Sequence, residues 1–127
     1  MQFIDNLYFI KYQIIDKENN KATFGIRFNA ENVIYKAHFP SKPVTPGVCL
    51  IQIAQELLAR CTGVFCNLKK VKNIKFTTLL DPITSPEIAV NLNGIVATNK
   101  DEHKVSVVFK KDEIIFSKMS LIFNTVS

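Results

Sequence analysis

Gly47-Val48-Cys49-Leu50-Ile51-Gln52-Ile53-Ala54-Gln55-Glu56-Leu57-Leu58-Ala59-Arg60-Cys61 is the stretch that decides the fold. Pro46 stands where a helix can start with a missing N–H, and Gly63 stands where a helix commonly stops. Between them Val48, Cys49, Leu50, Ile51, Ile53, Ala54, Leu57 and Leu58 cover most of the circumference. A helix that is apolar nearly all round is buried on most of its sides. The chain has 127 residues. That is enough for one domain, residues 1–127, with little room for a second. In so small a chain a curved sheet has to do the covering.

The flanking sequence supplies the strands. Upstream, Leu7 to Ile15 is aromatic and β-branched, and Asp16-Lys17-Glu18-Asn19-Asn20 is a polar turn. Lys21 to Phe28 then alternates, with Ala22, Phe24, Ile26 and Phe28 on one face. Residues 29 to 46 read as a loop. Downstream, strands are predicted over Val71–Leu79, Glu87–Val96, Val105–Phe109 and Glu113–Phe123. Lys110-Lys111-Asp112 forms a tight turn between the last two, and His103 falls in a polar turn with Asn99, Lys100, Asp101 and Glu102. No helix separates these strands, so the sheet is mostly antiparallel. One buried central helix wrapped by a curved antiparallel sheet is an α+β architecture, the hotdog fold. So thin a wrap leaves a sheet edge in need of cover, which dimerisation that extends the sheet would provide.

Composition narrows the setting. The chain is 47% hydrophobic and 21% charged, with ten Phe and no Trp. This is the balance of an ordinary globular protein. No signal peptide and no membrane-spanning run are visible, which points to the cytoplasm. Three cysteines, Cys49, Cys61 and Cys66, suit a reducing compartment and give neither a disulfide framework nor a zinc signature. The net charge of +5 is concentrated in Arg60, Lys69, Lys70, Lys72 and Lys75. Such a cluster is either a solvated face or a docking patch for an acidic partner. No nucleic-acid motif accompanies it.

The chemistry is concentrated in Ala37-His38-Phe39-Pro40-Ser41-Lys42-Pro43-Val44-Thr45-Pro46-Gly47-Val48. An imidazole exchanges protons near neutral pH, and the prolines stiffen the loop that carries it. Pro46-Gly47 then opens the helix. Its first N–H groups lack internal partners and carry the positive end of the dipole. A carbonyl at that point would be polarised, and a base beside it could remove a proton α to a thioester. By itself a lone histidine more often bonds to backbone.

The spacing His38-Phe39-Pro40-x-x-Pro43-x-x-Pro46-Gly47-Val48 resembles the signature loop of the 3-hydroxyacyl-(acyl carrier protein) dehydratases. The likeness continues through the helix into Val71-x-Asn73-x-Lys75-Phe76 and covers about residues 28 to 76. The resemblance implies a hotdog dimer with two active sites at its interface. It implies His38 as the base, and the N–H groups near Gly47 or Val48 as the thioester carbonyl site. An acidic residue on the partner's helix would handle the leaving hydroxyl. The product implied is a trans-2-enoyl thioester, in fatty acid or polyene biosynthesis. No metal or organic cofactor is implied beyond the phosphopantetheine arm of the acyl carrier protein. Carrier docking is expected at Arg60, Lys69, Lys70 and Lys72.

The sequence departs from the family where the acid belongs. That acid lies fourteen positions after the histidine, and residue 52 here is Gln, which cannot shuttle a proton. Four residues on, where many members have Gln, this chain has Glu56. Positions four apart are neighbours on a helix face. Glu56 is therefore expected to supply the acid with Gln52 positioning it, or else to be a carboxylate held by a structural partner. Ser41 replaces a common Gly, a smaller departure. Phe76 and Leu50 are expected to line the acyl tunnel. Three functions stay open: a dehydratase, a hotdog thioesterase in which Glu56 activates water, and a non-catalytic acyl-binding subunit. The expected partner is a second copy, with a related hotdog chain as the alternative.

Overall fold

The computed structural model describes residues 2–38 and 42–126, with the side chains of His38 and Val126 outside the described residues. Six strands form one sheet in the order β1-β2-β4-β5-β6-β3, every pairing antiparallel. The strands are β1 (Tyr8–Asp16), β2 (Lys21–Phe28), β3 (Phe65–Phe76), β4 (Glu87–Asn99), β5 (Glu102–Lys111) and β6 (Ile114–Val126). Two helices complete the fold, α1 (Val33–His38) and α2 (Gly47–Thr62).

The alternation seen in the sequence sets the inner face of the sheet. Ala22, Phe24, Ile26 and Phe28 of β2, Ile88, Val90 and Leu92 of β4, and Met119, Leu121 and Phe123 of β6 are all buried. Val105, Val107 and Phe109 of β5 join them. Against this surface α2 lays Cys49, Leu50, Ile53, Ala54, Leu57 and Leu58. Burying one such side chain is worth about 1.5–3 kcal/mol, so this helix–sheet contact is the main source of stability. The helix stops where predicted: Gly63 takes the left-handed conformation (φ 77°) and its N–H donates to the Ala59 carbonyl. Together these features are the hotdog arrangement.

Several expectations need correction. Helix α2 is not covered all round, because Val48 is 72% exposed. The stretch read as a loop over residues 29–46 contains α1. Asn32 starts that helix by accepting the Ile34 N–H at 2.9 Å, as an N-cap does. The last hairpin turns at Asp112 and Glu113 instead of Lys110-Lys111-Asp112, since Lys111 already pairs with Ile114. Asp112 takes the positive φ of 52°. His103 is a strand residue of β5, paired across from Phe123, and not part of a turn. Finally, β3 begins at Phe65, six residues before the predicted start, and is bulged twice, between Leu68 and Lys70 and between Val71 and Asn73.

Candidate active site

Helix α2 carries the candidate residues on one stripe. Val48, Gln52, Glu56 and Arg60 follow at intervals of four, so they stack along the face that the sheet leaves open. Beside this stripe lies a groove of about 790 Å³, lined by Gln52, Gln55, Glu56 and Arg60 from the helix. Phe65, Cys66 and Asn67 of β3 and Gln2 and Ile4 of the N-terminal segment form its other walls.

The Glu56 carboxylate is the organising group of this groove. Oε2 accepts the Phe3 N–H at 2.7 Å and the Gln52 Nε2–H at 2.8 Å. Oε1 accepts the Ile4 N–H at 2.8 Å and the Tyr8 hydroxyl at 2.9 Å. Burial, and next the Glu56 charge beside it, hold the Tyr8 hydroxyl proton far more tightly than in a free tyrosine. Gln52 and Glu56 are thus in direct contact, as their spacing predicts. A carboxylate taking four donors from its own chain is a clamp on the N-terminal segment. What it does for Gln52 is fix which way the amide points. Tyr8 and the two backbone donors were not legible in the sequence. Backbone N–H groups leave no residue signal, and Tyr8 reads simply as a strand residue.

The other half of the site lies at the start of α2. Pro46 is extended (φ −61°, ψ 145°) and no side chain caps the helix. The N–H groups of Gly47 and Val48 therefore open the helix at an exposed end. The Phe76 ring lies over Gly47, so close that an added Cβ would stand 2.5 Å from the ring's tip. Phe76 is 55% exposed and Leu50 is buried. Of the two expected tunnel residues, one borders the helix start and the other belongs to the core.

His38 ends α1, but its side chain lies outside the described residues, as do Phe39, Pro40 and Ser41. Its backbone is anchored from the same helix. The buried Tyr35 hydroxyl meets Thr45 Oγ1 at 3.0 Å, and the Thr45 N–H donates to the Leu80 carbonyl at 2.8 Å. Burial pushes the Tyr35 hydroxyl up to about 12. These contacts tie the helix that ends at His38 to the segment that leads into Gly47.

The basic residues expected at one docking patch are divided between the groove and β3. Arg60 borders the groove, where its Nε–H donates to Gln13 at 3.0 Å. Lys69 is paired with Glu102 at 2.7 Å. Lys70, opposite Ile122, is on the outer face of the sheet, and Lys72 is exposed at the second bulge. Burial raises all three thiols, Cys61 to about 11, which favours their protonated form. Among the described residues no three His, Cys, Asp or Glu side chains stand together as metal ligands. No helix is long and apolar enough to cross a membrane.

Comparison with known proteins agrees with this architecture. The dehydratase heterocomplex ApeI:P from Xenorhabdus doucetiae contains a chain that superposes with a TM-score of 0.72 at 14% identity, covering 91% of this chain and 96% of that one. The yhdA protein of Lactococcus lactis, provisionally described as a thioesterase, superposes at 0.69 with 12% identity, covering 99% and 98%. The thioesterase SAV0944 of Staphylococcus aureus gives 0.65 with 11% identity, covering 94% and 93%. At these identities the likeness establishes the fold alone. No curated protein matches the chain by sequence. The family model of ApeI dehydratase matches residues 14–118, which is most of the sequence and includes the loop, α2 and β3. This chain belongs to the ApeI-like dehydratase family.

Proposed function

We propose that the protein dehydrates a 3-hydroxyacyl thioester, carried on acyl carrier protein, to the trans-2-enoyl thioester. The observation that supports this most is the open stripe of α2. The helix start at Gly47 and Val48 has no side-chain cap, and one turn on from Val48 along the same stripe an oriented amide, Gln52, lines the groove. Gly47 and Val48 N–H polarise the thioester carbonyl, which acidifies the Cα proton. His38 removes that proton. The electron pair forms the C2=C3 bond as the C3–O bond breaks. The departing oxygen takes a proton and leaves as water.

The source of that second proton is the point at which this chain departs from the signature of the 3-hydroxyacyl-(acyl carrier protein) dehydratases that it resembles. Gln52 cannot provide it, and Glu56 already accepts four hydrogen bonds. We assign it to the His38 imidazolium formed in the first half of the reaction. Gln52 holds the hydroxyl, and Glu56 positions Gln52. The expected role of Glu56 as the acid is the competing assignment.

The site also needs a second subunit. On the inner side of β3, Leu68, Val71, Ile74 and Phe76 each pair across from an inward residue of β6. Yet Leu68 and Val71 are each 38% exposed. This row, on an edge strand that pairs only with β6, fits a second hotdog subunit placed against the groove. A copy of this chain or a related hotdog protein would serve, and the heterocomplex formed by the ApeI relative keeps both in play.

The test is turnover of a 3-hydroxyacyl-carrier substrate read by mass spectrometry. A product lighter by one water, absent with His38→Ala, supports the proposal. Free acid and thiol would identify a thioesterase instead. Bound but unchanged substrate would identify an acyl-binding subunit. Glu56→Gln separates the two assignments of the acid. A positioning role predicts a reduced kcat with an unaltered pH profile, whereas a proton donor predicts loss of the limb it controls.

A further inference from the structure

The outer face of the sheet, turned away from α2, carries a lysine array that neither the fold nor the chemistry uses. Strand register defines it. Lys70 of β3 stands opposite Ile122 of β6, which stands opposite Lys104 of β5. Two residues along, Asn73, Ser120, Ser106 and Asn93 form an uncharged row across four strands. Two further along, Lys75 stands opposite Lys118, which stands opposite Val108. The intervening rows, centred on Leu121, Met119 and Ser117, are the buried ones, so these three rows face outward together. Lys110 continues the face opposite Ala89.

No carboxylate falls in the three rows. Glu102, in the row beyond Lys104, is held by Lys69 at 2.7 Å. The Glu87 carboxylate, on the far side of Lys110, faces Arg27 at 3.7 Å. Lys75 and Lys118 are thus directly opposed like charges, an arrangement that weakens a sheet unless an anion offsets it. Three properties select the kind of anion. Lys70, Lys75, Lys104 and Lys118 are spread over three strands instead of lining a cleft, and only Lys110 borders one, beside Asp112. The positions between them are short, uncharged side chains or the partly buried Ile122 and Val108. And this face lies on the opposite side of the sheet from the candidate site, so occupying it leaves the groove free.

We infer that this outer face docks the protein on an anionic lipid surface. Lysine stems lie along the sheet and their ammonium groups reach lipid phosphates in the plane. The inference does not depend on the reaction catalysed.

The test is sedimentation of the full-length protein with vesicles of phosphatidylcholine alone and with vesicles that also contain phosphatidylglycerol. Binding is expected only with phosphatidylglycerol, and it should fall as salt is raised. Lys75→Gln with Lys118→Gln should weaken it by about tenfold or more, each neutralised lysine being worth several-fold. Lys17→Gln with Lys36→Gln removes the same charge from elsewhere and should leave binding within about twofold. Circular dichroism should show both double variants folded, with Lys75→Gln/Lys118→Gln at least as heat-stable as the parent. Equal binding to both vesicle types would overturn the inference. So would equal losses in the two double variants, since net charge alone would then be responsible. Absence of vesicle binding with Lys75- and Lys118-dependent capture of poly-glutamate would overturn it in favour of an acidic protein partner.

Discussion

The two edges of the sheet, β1 and β3, solve the same problem in opposite ways. Both strands have one side without a neighbour in the sheet. At β1 the chain covers its own inner side: the segment from Phe3 to Tyr8 folds back and is clamped by Glu56. What β1 exposes, Phe9, Tyr12 and Ile14, lies opposite Arg27, Gly25 and Thr23 on the outer face, with the Tyr12 ring packed down on Gly25. At β3 the inner side itself is left open, and its apolar row borders the groove. One edge is closed within the chain, and the other stays open, where the second subunit is proposed to sit. The candidate groups Gln52, Glu56 and Arg60 lie between the two edges, in the groove bounded by the N-terminal segment and β3.

Breaking the open edge should have the largest effect. Val71→Asp puts a charge in the exposed apolar row and should weaken association by at least about 4 kcal/mol, leaving a monomer in light scattering with turnover lost alongside. Ile14→Asp, the equivalent insult at β1, should change neither by more than about 0.5 kcal/mol. Breaking the closed edge comes next. Glu56→Leu strands the Phe3 and Ile4 N–H groups and the Tyr8 hydroxyl, and should lower unfolding free energy in urea by about 3 kcal/mol. Tyr8→Phe removes one donor of the four and should cost about 1.5 kcal/mol in the same measurement.

The smallest effect appears only in alkali. Tyr35 has an ordinary value of 10.0 that folding raises to about 12. Its protonated form is favoured in the folded state, so its contribution is complete below pH 10 and is lost as pH rises towards 12. The Tm of the parent should therefore fall across that window more steeply than that of Tyr35→Phe, whatever their difference at neutral pH.

Sequence reading reached the parts of this molecule that repeat. The helix from Gly47, its stop at Gly63 and the alternating strands β2, β4 and β6 were all legible, because burial imposes a period on residue type. What escaped was aperiodic. Helix α1 has six residues, too few to display a period, and only its Asn32 cap could have marked it. The two bulges of β3 stretch the inner row to Cys66, Leu68, Val71, Ile74 and Phe76, so steps of three interrupt the expected steps of two. That irregular spacing hid the first half of the strand among lysines. Of the site, the Gln52–Glu56 contact was legible from spacing alone. The clamp was not, since its donors come from a segment some fifty residues away.

The strand order also sets a timetable for synthesis. Strand β3 pairs only with β6, whose residues are made roughly forty to sixty positions later, from Phe76 with Ser117 to Phe65 with Val126. Until then β3 lacks its one partner strand in the sheet. Contacts this distant in sequence are slow to close, and an unpaired edge is open to wrong partners meanwhile. The subunit assembly proposed for β3 would therefore have to wait for translation to finish β6. Expression at lower temperature, or with chaperones in excess, should raise the soluble yield by shielding that one strand during its wait.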